Sequence, residues 1–293
     1  MTTILVENEW LNAFLLFLIY LSASVVLLYI GKLIFKAVKS KIAVTHELIT
    51  KDNLAFSFAY VGYFAGLILA VGSAVYGASF GLISDLIDMA IYGVLAIVLL
   101  NLSSLIMDKI TLRRFSVWKE ITEDQNVGMG LIEAANYFSA GLIIFGAITG
   151  ESGNVAFGIY TAIAYWALGQ VLILVTAWLY NKITNYDVHA EIEKDNAAAG
   201  LGFAAALIAI ANLIRNGLMG DFASWNETLL EVAYEAGIGL VFLPIIRTLV
   251  DKILLPGRSL SDEIARQDKP NVGAALVEAI GYIGGSVLIV WCI

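Results

Sequence analysis

The sequence predicts an all-α, polytopic membrane protein of eight transmembrane helices, arranged as four parallel helical hairpins in the order A-B-A-B. Three observations carry this expectation. Of the 293 residues, 60% are hydrophobic and only 14% are charged, more apolar surface than one soluble core of this size would hide. Apolar windows of spanning length recur along the whole chain. Lysine and arginine are confined to alternate connections between those windows.

The windows run at roughly 11–35, 54–76, 82–107, 127–149, 155–180, 197–217, 228–250 and 272–293. Each is long enough for ~30 Å of hydrocarbon, which takes about 20 helical residues. A β-barrel would need segments of about ten residues with alternating polarity, and these runs are twice that length. Helices remain, because a spanning helix satisfies its own backbone. The first window is long and is followed at once by Lys32, Lys36, Lys39 and Lys41, so it reads as a retained helix and not a cleaved leader. The single cysteine, Cys292, excludes an intrachain disulfide and a multi-cysteine metal site.

Sixteen of the seventeen Lys and Arg residues fall in or beside Lys32–Lys51, Lys109–Lys119, Lys182–Lys194 and Arg247–Lys269, and only Arg215 lies elsewhere. The opposite connections, "GSAVYGASFG", "TGESGN" and "RNGLMGDFASWNE", and the N-terminal "MTTILVENEW" are almost free of positive charge. The positive-inside rule then predicts both termini outside the cytoplasm. The lipid bilayer is the expected surrounding. No basic patch with interleaved aromatics occurs, so no nucleic-acid partner is expected.

A repeat underlies the connections. "ELITKDNLAFSFA", "EITEDQNVGMGLIEA", "EIEKDNAAAGLGFA" and "EIARQDKPNVGAALVEA" begin at Glu47, Glu120, Glu191 and Glu263, at intervals of 73, 71 and 72 residues. So regular a period is the mark of internal duplication. The second and fourth units share "MDKITL" with "VDKILL" and "EAANY" with "EAIGY", which groups the chain into modules 1–150 and 151–293.

Asn53, Asn126, Asn196 and Asn271 stand directly before a returning window, where an asparagine can accept from the first free helix amides. The glutamates ahead of them, with Asp52, Asp124, Asp195 and Asp268, suit the positive end of the helix dipole. The alternative is a vestibule where four acidic helix entries gather cations or dock a partner. His46 and His189 adjoin this motif and could respond to pH.

Acids inside the windows carry a sharper signal, since a central charge costs at least about 2.5–3.5 kcal/mol. Glu133 and Glu278 each lie seven residues past the capping Asn, about 10 Å along the helix. Tyr137 and Tyr282 follow at i+4, on the same face. Toward the other end of the preceding window, aligning Asp108 with Asp251 sets Asp88 against Glu231 and Tyr92 against Glu235, with Asp85 nearby. Such a ladder would suit protons or monovalent cations. The only basic residue visible inside these windows near the acids is Arg247. The bland alternative is a pair of neutral glutamic acids bonded to neighbouring helices, with the outer acids solvated. Gly62, Gly66, Gly128, Gly202, Gly281 and Gly285 read as close helix packing.

No metal-binding His pair, nucleotide loop or activated serine is found, so no cofactor and no enzymatic activity are expected. Two functions stand: a proton or small-cation channel or cation-coupled transporter working through the intramembrane acids, or a non-transporting scaffold whose cytoplasmic loops dock a soluble partner. A homo-oligomer is compatible with either.

The stretches "DNLAFSFAYVGYFAG" at 52–66 and "DNAAAGLGFAAALIAI" at 195–210 resemble the domain-of-unknown-function-350, or UPF0719, family of bacterial inner-membrane proteins. The resemblance covers essentially the whole chain as two tandem four-span modules. It implies a bacterial cytoplasmic membrane and an association with envelope stress. It brings no catalytic or binding residues with it.

Overall fold

The computed structural model describes residues 5–77, 79–112, 116–150, 153–255 and 257–293. Arg113 and Arg114 of the second basic segment, and parts of "MTTILVENEW", "GSAVYGASFG" and "TGESGN", lie outside the described residues.

Eleven α-helices are described: α1 Glu9–Val38, α2 Leu54–Ser73, α3 Leu82–Ile106, α4 Val117–Thr122, α5 Val127–Ile148, α6 Val155–Ile183, α7 Val188–Glu193, α8 Ala197–Leu218, α9 Trp225–Leu249, α10 Leu260–Ala265 and α11 Val272–Cys292. Eight of them, all but α4, α7 and α10, are long and apolar enough to cross a membrane. Their starts fall within about three residues of the windows read from the sequence, because an abrupt change of hydropathy and an asparagine cap mark most of them.

The basic connections are more ordered than loops. α4, α7 and α10 are single helical turns that bury an apolar pair one turn apart: Val117 and Ile121, Val188 and Ile192, Leu260 and Ile264. The first unit has a π turn, His46–Thr50, in that place. α3 and α9 each run on into a π turn, Met107–Thr111 and Val250–Leu254, at the same point of the two B units. π turns are rare and gather at functional sites.

Four helices, α2, α5, α8 and α11, pack side by side in that order. Their contacts run in the same sense along each pair. Ala55 meets Gly130 and Gly66 meets Gly141 between α2 and α5, while Gly128 meets Gly200 and Gly146 meets Arg215 between α5 and α8. Asn212 donates to the Ser286 hydroxyl at 3.3 Å between α8 and α11. A Cβ on Gly200 would lie 2.5 Å from the Gly128 Cα, so this approach requires glycine. Lipid provides no hydrophobic drive between helices, and such intimate contact supplies the attraction instead.

The remaining long helices flank this row. α3 touches α2 and α5, α6 touches α5 and α8, α9 touches α8 and α11, and α1 touches α2 and α3. α5 and α8 are therefore the most enclosed helices, whereas α1 exposes Trp10, Phe14, Phe17 and Val26. The two modules form one continuous row, since α5 of the first lies along α8 of the second.

Candidate functional site

All four repeat asparagines are N-caps. Asn53, Asn126, Asn196 and Asn271 accept from the backbone amides of Phe56, Met129, Ala199 and Ala274, each at 3.0 Å. Their amide groups donate back to the repeat glutamates: Asn53 to Glu47 at 2.8 Å, Asn126 to Glu120 at 3.3 Å, Asn196 to Glu191 at 2.9 Å and Asn271 to Glu263 at 2.9 Å. The same amides reach the next unit. Asn53 donates to the Ile121 carbonyl, Asn126 to Ile192 and Asn196 to Ile264, at 2.8, 2.6 and 2.8 Å. The motif is a cap and a coupling between units at once.

The residue before three of these caps has a left-handed backbone: Asp52, Gln125 and Asp195, with φ of 50°, 55° and 60°. Aspartate tolerates that region better than most residues. The sequence reading gave Asp52 and Asp195 only a dipole role, and their backbone role was missed. In the fourth unit Pro270 holds this position and cannot adopt a positive φ.

Glu133 is fully buried on α5. The Ser104 hydroxyl donates to its Oε1 at 2.7 Å, and the Asn136 amide donates to its Oε2 at 3.3 Å. Both donors are neutral. The nearby cation, Lys39, stands 3.6 Å from the Asp108 carboxylate and 4.2 Å over the Trp118 ring. Asp108 Oδ1 and the buried Tyr137 hydroxyl have no hydrogen-bond partner among the described residues. Beyond Tyr137 its ring meets Tyr63 edge-on at 5.1 Å, and Tyr63 donates to the Gly31 carbonyl at 2.7 Å. Asn101, on α3, approaches the Tyr63 hydroxyl at 3.4 Å. A run of polar groups thus follows the α1–α2–α3–α5 junction.

Glu278 is equally buried but differently served, because the Arg247 guanidinium pairs with its Oε1. Arg247, the one basic residue that the sequence offered near these acids, is thus the partner of Glu278, and the expectation of acids without an internal ion pair is corrected there. The cause is geometric: α9 packs against α11, and Arg247, one turn before Asp251, meets Glu278 there. Arg247 also donates to the Ser261 hydroxyl at 3.3 Å and lies 6.0 Å from the centre of the Tyr186 ring. Burial, reinforced by the Glu278 charge, pushes the Tyr186 hydroxyl up to about 12, so it stays a neutral phenol. Glu278 Oε2 and the Tyr180 hydroxyl lack partners among the described residues. Both would lie within 2.7 Å of a Cβ on Gly202, so this glycine makes room for the carboxylate. Tyr282 is buried beside Tyr180, with ring centres 6.2 Å apart.

The outer acids separate into two places. Asp85, Asp88 and Tyr92 line a cavity of about 570 Å³ together with Tyr20 and Asp221. Asp85 is an organiser of the α2–α3 connection, accepting from the Tyr20 and Ser79 hydroxyls at 2.6 and 2.5 Å and from the Phe80 amide at 2.9 Å. Glu235 is buried and accepts from the Asn216 amide at 2.6 Å, while Glu231 is exposed. Buried Ala96, Ile97 and Leu100 lie along α3 between the Asp88 cavity and the Glu133 cluster. The predicted continuous ladder is thus interrupted by an apolar layer. Lys39 and Ser104 were missed as neighbours of Glu133, since no spacing within one helix links α1, α3 and α5, whereas Asn136, at i+3 on α5, was within reach of the spacing argument and was passed over.

Comparison with known proteins follows the same two-part division. The family description Domain of Unknown Function (DUF350) matches residues 9–148 and again 154–293. The chain is similar to the UPF0719 transmembrane protein of Aquifex aeolicus (strain VF5), 24% identical over 246 residues that cover 84% of this chain and 88% of that relative. No solved structure matches. With its eight apolar helices and this relative, the chain is an integral, multi-pass membrane protein. It belongs to the DUF350 family, whose domain it carries twice in tandem.

Proposed function

We propose that the protein moves a proton or a small monovalent cation across a bacterial inner membrane, with Glu133 as the carboxylate that binds it. One observation carries this reading: a carboxylate with no solvent exposure, held by a serine and an asparagine, neither of which can neutralise it. An unpaired charge at such depth is costly, so a proton or an ion must offset it. Tyr137, Asn136, Tyr63 and Asn101 extend the polar lining from this point, and the Asp88 cavity supplies an acidic outer mouth. The apolar layer at Ala96 and Ile97 corresponds to a closed state.

The scaffold alternative receives less support. Glu47, Glu120, Glu191 and Glu263 are each engaged by a cap amide, which removes them as free docking groups. The capped ends carry nearly all the Lys and Arg, which favours a cytoplasmic location for them and an exterior one for both termini. In proteoliposomes the purified protein is expected to give an ion flux driven by voltage or a pH gradient. A flux that Glu133→Gln leaves at the wild-type rate would refute the assignment.

A further inference from the structure

We infer that Arg247 is a tethered counter-ion, filling in the second module the place that an exchangeable monovalent cation takes beside Glu133 in the first. This rests on the reading of Glu133 as an ion-binding carboxylate and names its ligand.

The two modules present their glutamates in matching frames. Glu133 and Glu278 each follow a capping asparagine by seven residues, on α5 and α11. Asp108 and Asp251 each sit in the π turn that ends the preceding helix. Four residues before each aspartate stand Ser104 and Arg247, and these are the side chains that contact the two glutamates. The same position therefore addresses the same carboxylate in both modules. In one it brings a guanidinium, and in the other a short neutral hydroxyl.

The charges around Glu133 leave that role open. From the C-terminal end of α1, Lys39 faces Asp108 and Trp118; α3 brings Ser104 and the π turn after it Asp108; from α5 come Asn136 and Tyr137. Lys39 pairs directly with Asp108, and no basic side chain among the described residues forms an ion pair with Glu133. A proton would neutralise the carboxylate alone, whereas a cation would also engage the fully buried Tyr137 hydroxyl and Asp108 Oδ1, which make no well-formed hydrogen bond among the described residues. A hard alkali cation takes oxygen ligands, and Glu133, Ser104, Tyr137 and Asp108 offer them. A divalent ion would want more carboxylates, and no cluster of three His, Cys, Asp or Glu occurs among the described residues. The second module replaces this exchangeable arrangement with a fixed ion pair. Its counterparts of Asn136, Asn101 and Tyr63 are Gly281, Pro244 and Ala206, which offer no side-chain polar lining.

The test is thermal unfolding of the full chain in nanodiscs, titrated with Na⁺, K⁺ or Li⁺ against N-methylglucamine at constant ionic strength. One alkali cation is expected to give a saturating rise in Tm, since a ligand of the folded state stabilises it. Glu133→Gln and Ser104→Arg should each abolish that rise, the second by supplying the charge from the chain, while Glu278→Gln should keep it. Arg247→Ser should add a second, separable cation-dependent rise. If Ser104→Arg fails to fold, the Glu133→Gln and Arg247→Ser pair decides alone. A Tm indifferent to all three cations, with a Glu133-dependent flux intact, overturns the cation inference and leaves proton transport standing. Indifference to cations with no flux at all overturns both.

Discussion

The Asn126 side-chain amide donates to the Ile192 carbonyl at 2.6 Å and thereby ties the first module to the second. The same bond recurs from Asn53 to Ile121 and from Asn196 to Ile264, whereas the Asn271 amide donates to Glu263 of its own unit. Asn126→Ala should cost the cap, about 1 kcal/mol, and also the bond to the Ile192 carbonyl, about 0.5–1.5 kcal/mol more, since that carbonyl keeps the Asp195 amide at 3.0 Å. Asn271→Ala should cost only the cap. Denaturant unfolding of the two variants in one detergent measures the difference, and equal losses would mean that the bond between units adds nothing.

Glycine contributes at the α5–α8 contact through close approach. Gly200→Ala sets a Cβ against the Gly128 backbone and should destabilise by about 1–3 kcal/mol, the usual cost of overpacking. Gly237, inside α9, has nothing within 4 Å of its Cβ position. Gly237→Ala should therefore gain up to about 1 kcal/mol of helix propensity. Melting curves of both variants should move in opposite directions.

Gln125 holds a left-handed backbone directly before its cap, with φ of 55°. A non-glycine residue there costs roughly 1–2 kcal/mol. Gln125→Gly should relieve about 1 kcal/mol of this, since glycine loses some of the gain to chain entropy. The same change at Asp52 should gain less, because aspartate enters this region more readily. Comparative Tm values check the order.

Two repeat glutamates should respond to acid with opposite signs. Burial pushes Glu47 up, but the Lys51 ammonium at 2.8 Å and the Asn53 amide outweigh it and hold its carboxyl below the ordinary value. Its stabilisation is present above the unfolded carboxylate value, about 4.3, and disappears as pH falls through the lower folded value. Burial pushes Glu120 up, and Asp124 and Asp195 add to that against the opposing Asn126 bond. Its contribution is present below about 4.3 and is lost as pH rises through the folded value. Glu47→Gln should then destabilise at pH 7 and Glu120→Gln should stabilise, both effects shrinking in acid. A pH series of melting curves, with matching signs for the two variants, would refute this.

Local features of the fold were legible in the sequence because they are written locally. The eight windows and the four caps depend on hydropathy and on one asparagine each, and hydrocarbon leaves helices little alternative. The close packing at Gly66, Gly128 and Gly202 was legible as a composition bias, though its partners were not. What escaped the sequence depends on relations between helices. Equal spacing made Glu133 and Glu278 look alike, and only the packing of α9 on α11 reveals that Arg247 answers one of them. The outer acids aligned in register, yet Asp88 opens on a cavity while Glu235 is buried against Asn216. Lys39 lay in a basic run that read as interfacial, and its place beside Asp108 required α1 to pack on α3.

The central claim is that one of two look-alike glutamates carries the ion. It is tested most directly by flux in proteoliposomes reconstituted with Glu133→Gln or Glu278→Gln at equal, folded incorporation. The account predicts that Glu133→Gln falls to the background of empty liposomes, while Glu278→Gln, which leaves Arg247 unpaired, loses stability but retains ion movement. Wild-type flux in Glu133→Gln, or loss of flux in Glu278→Gln alone, would contradict it.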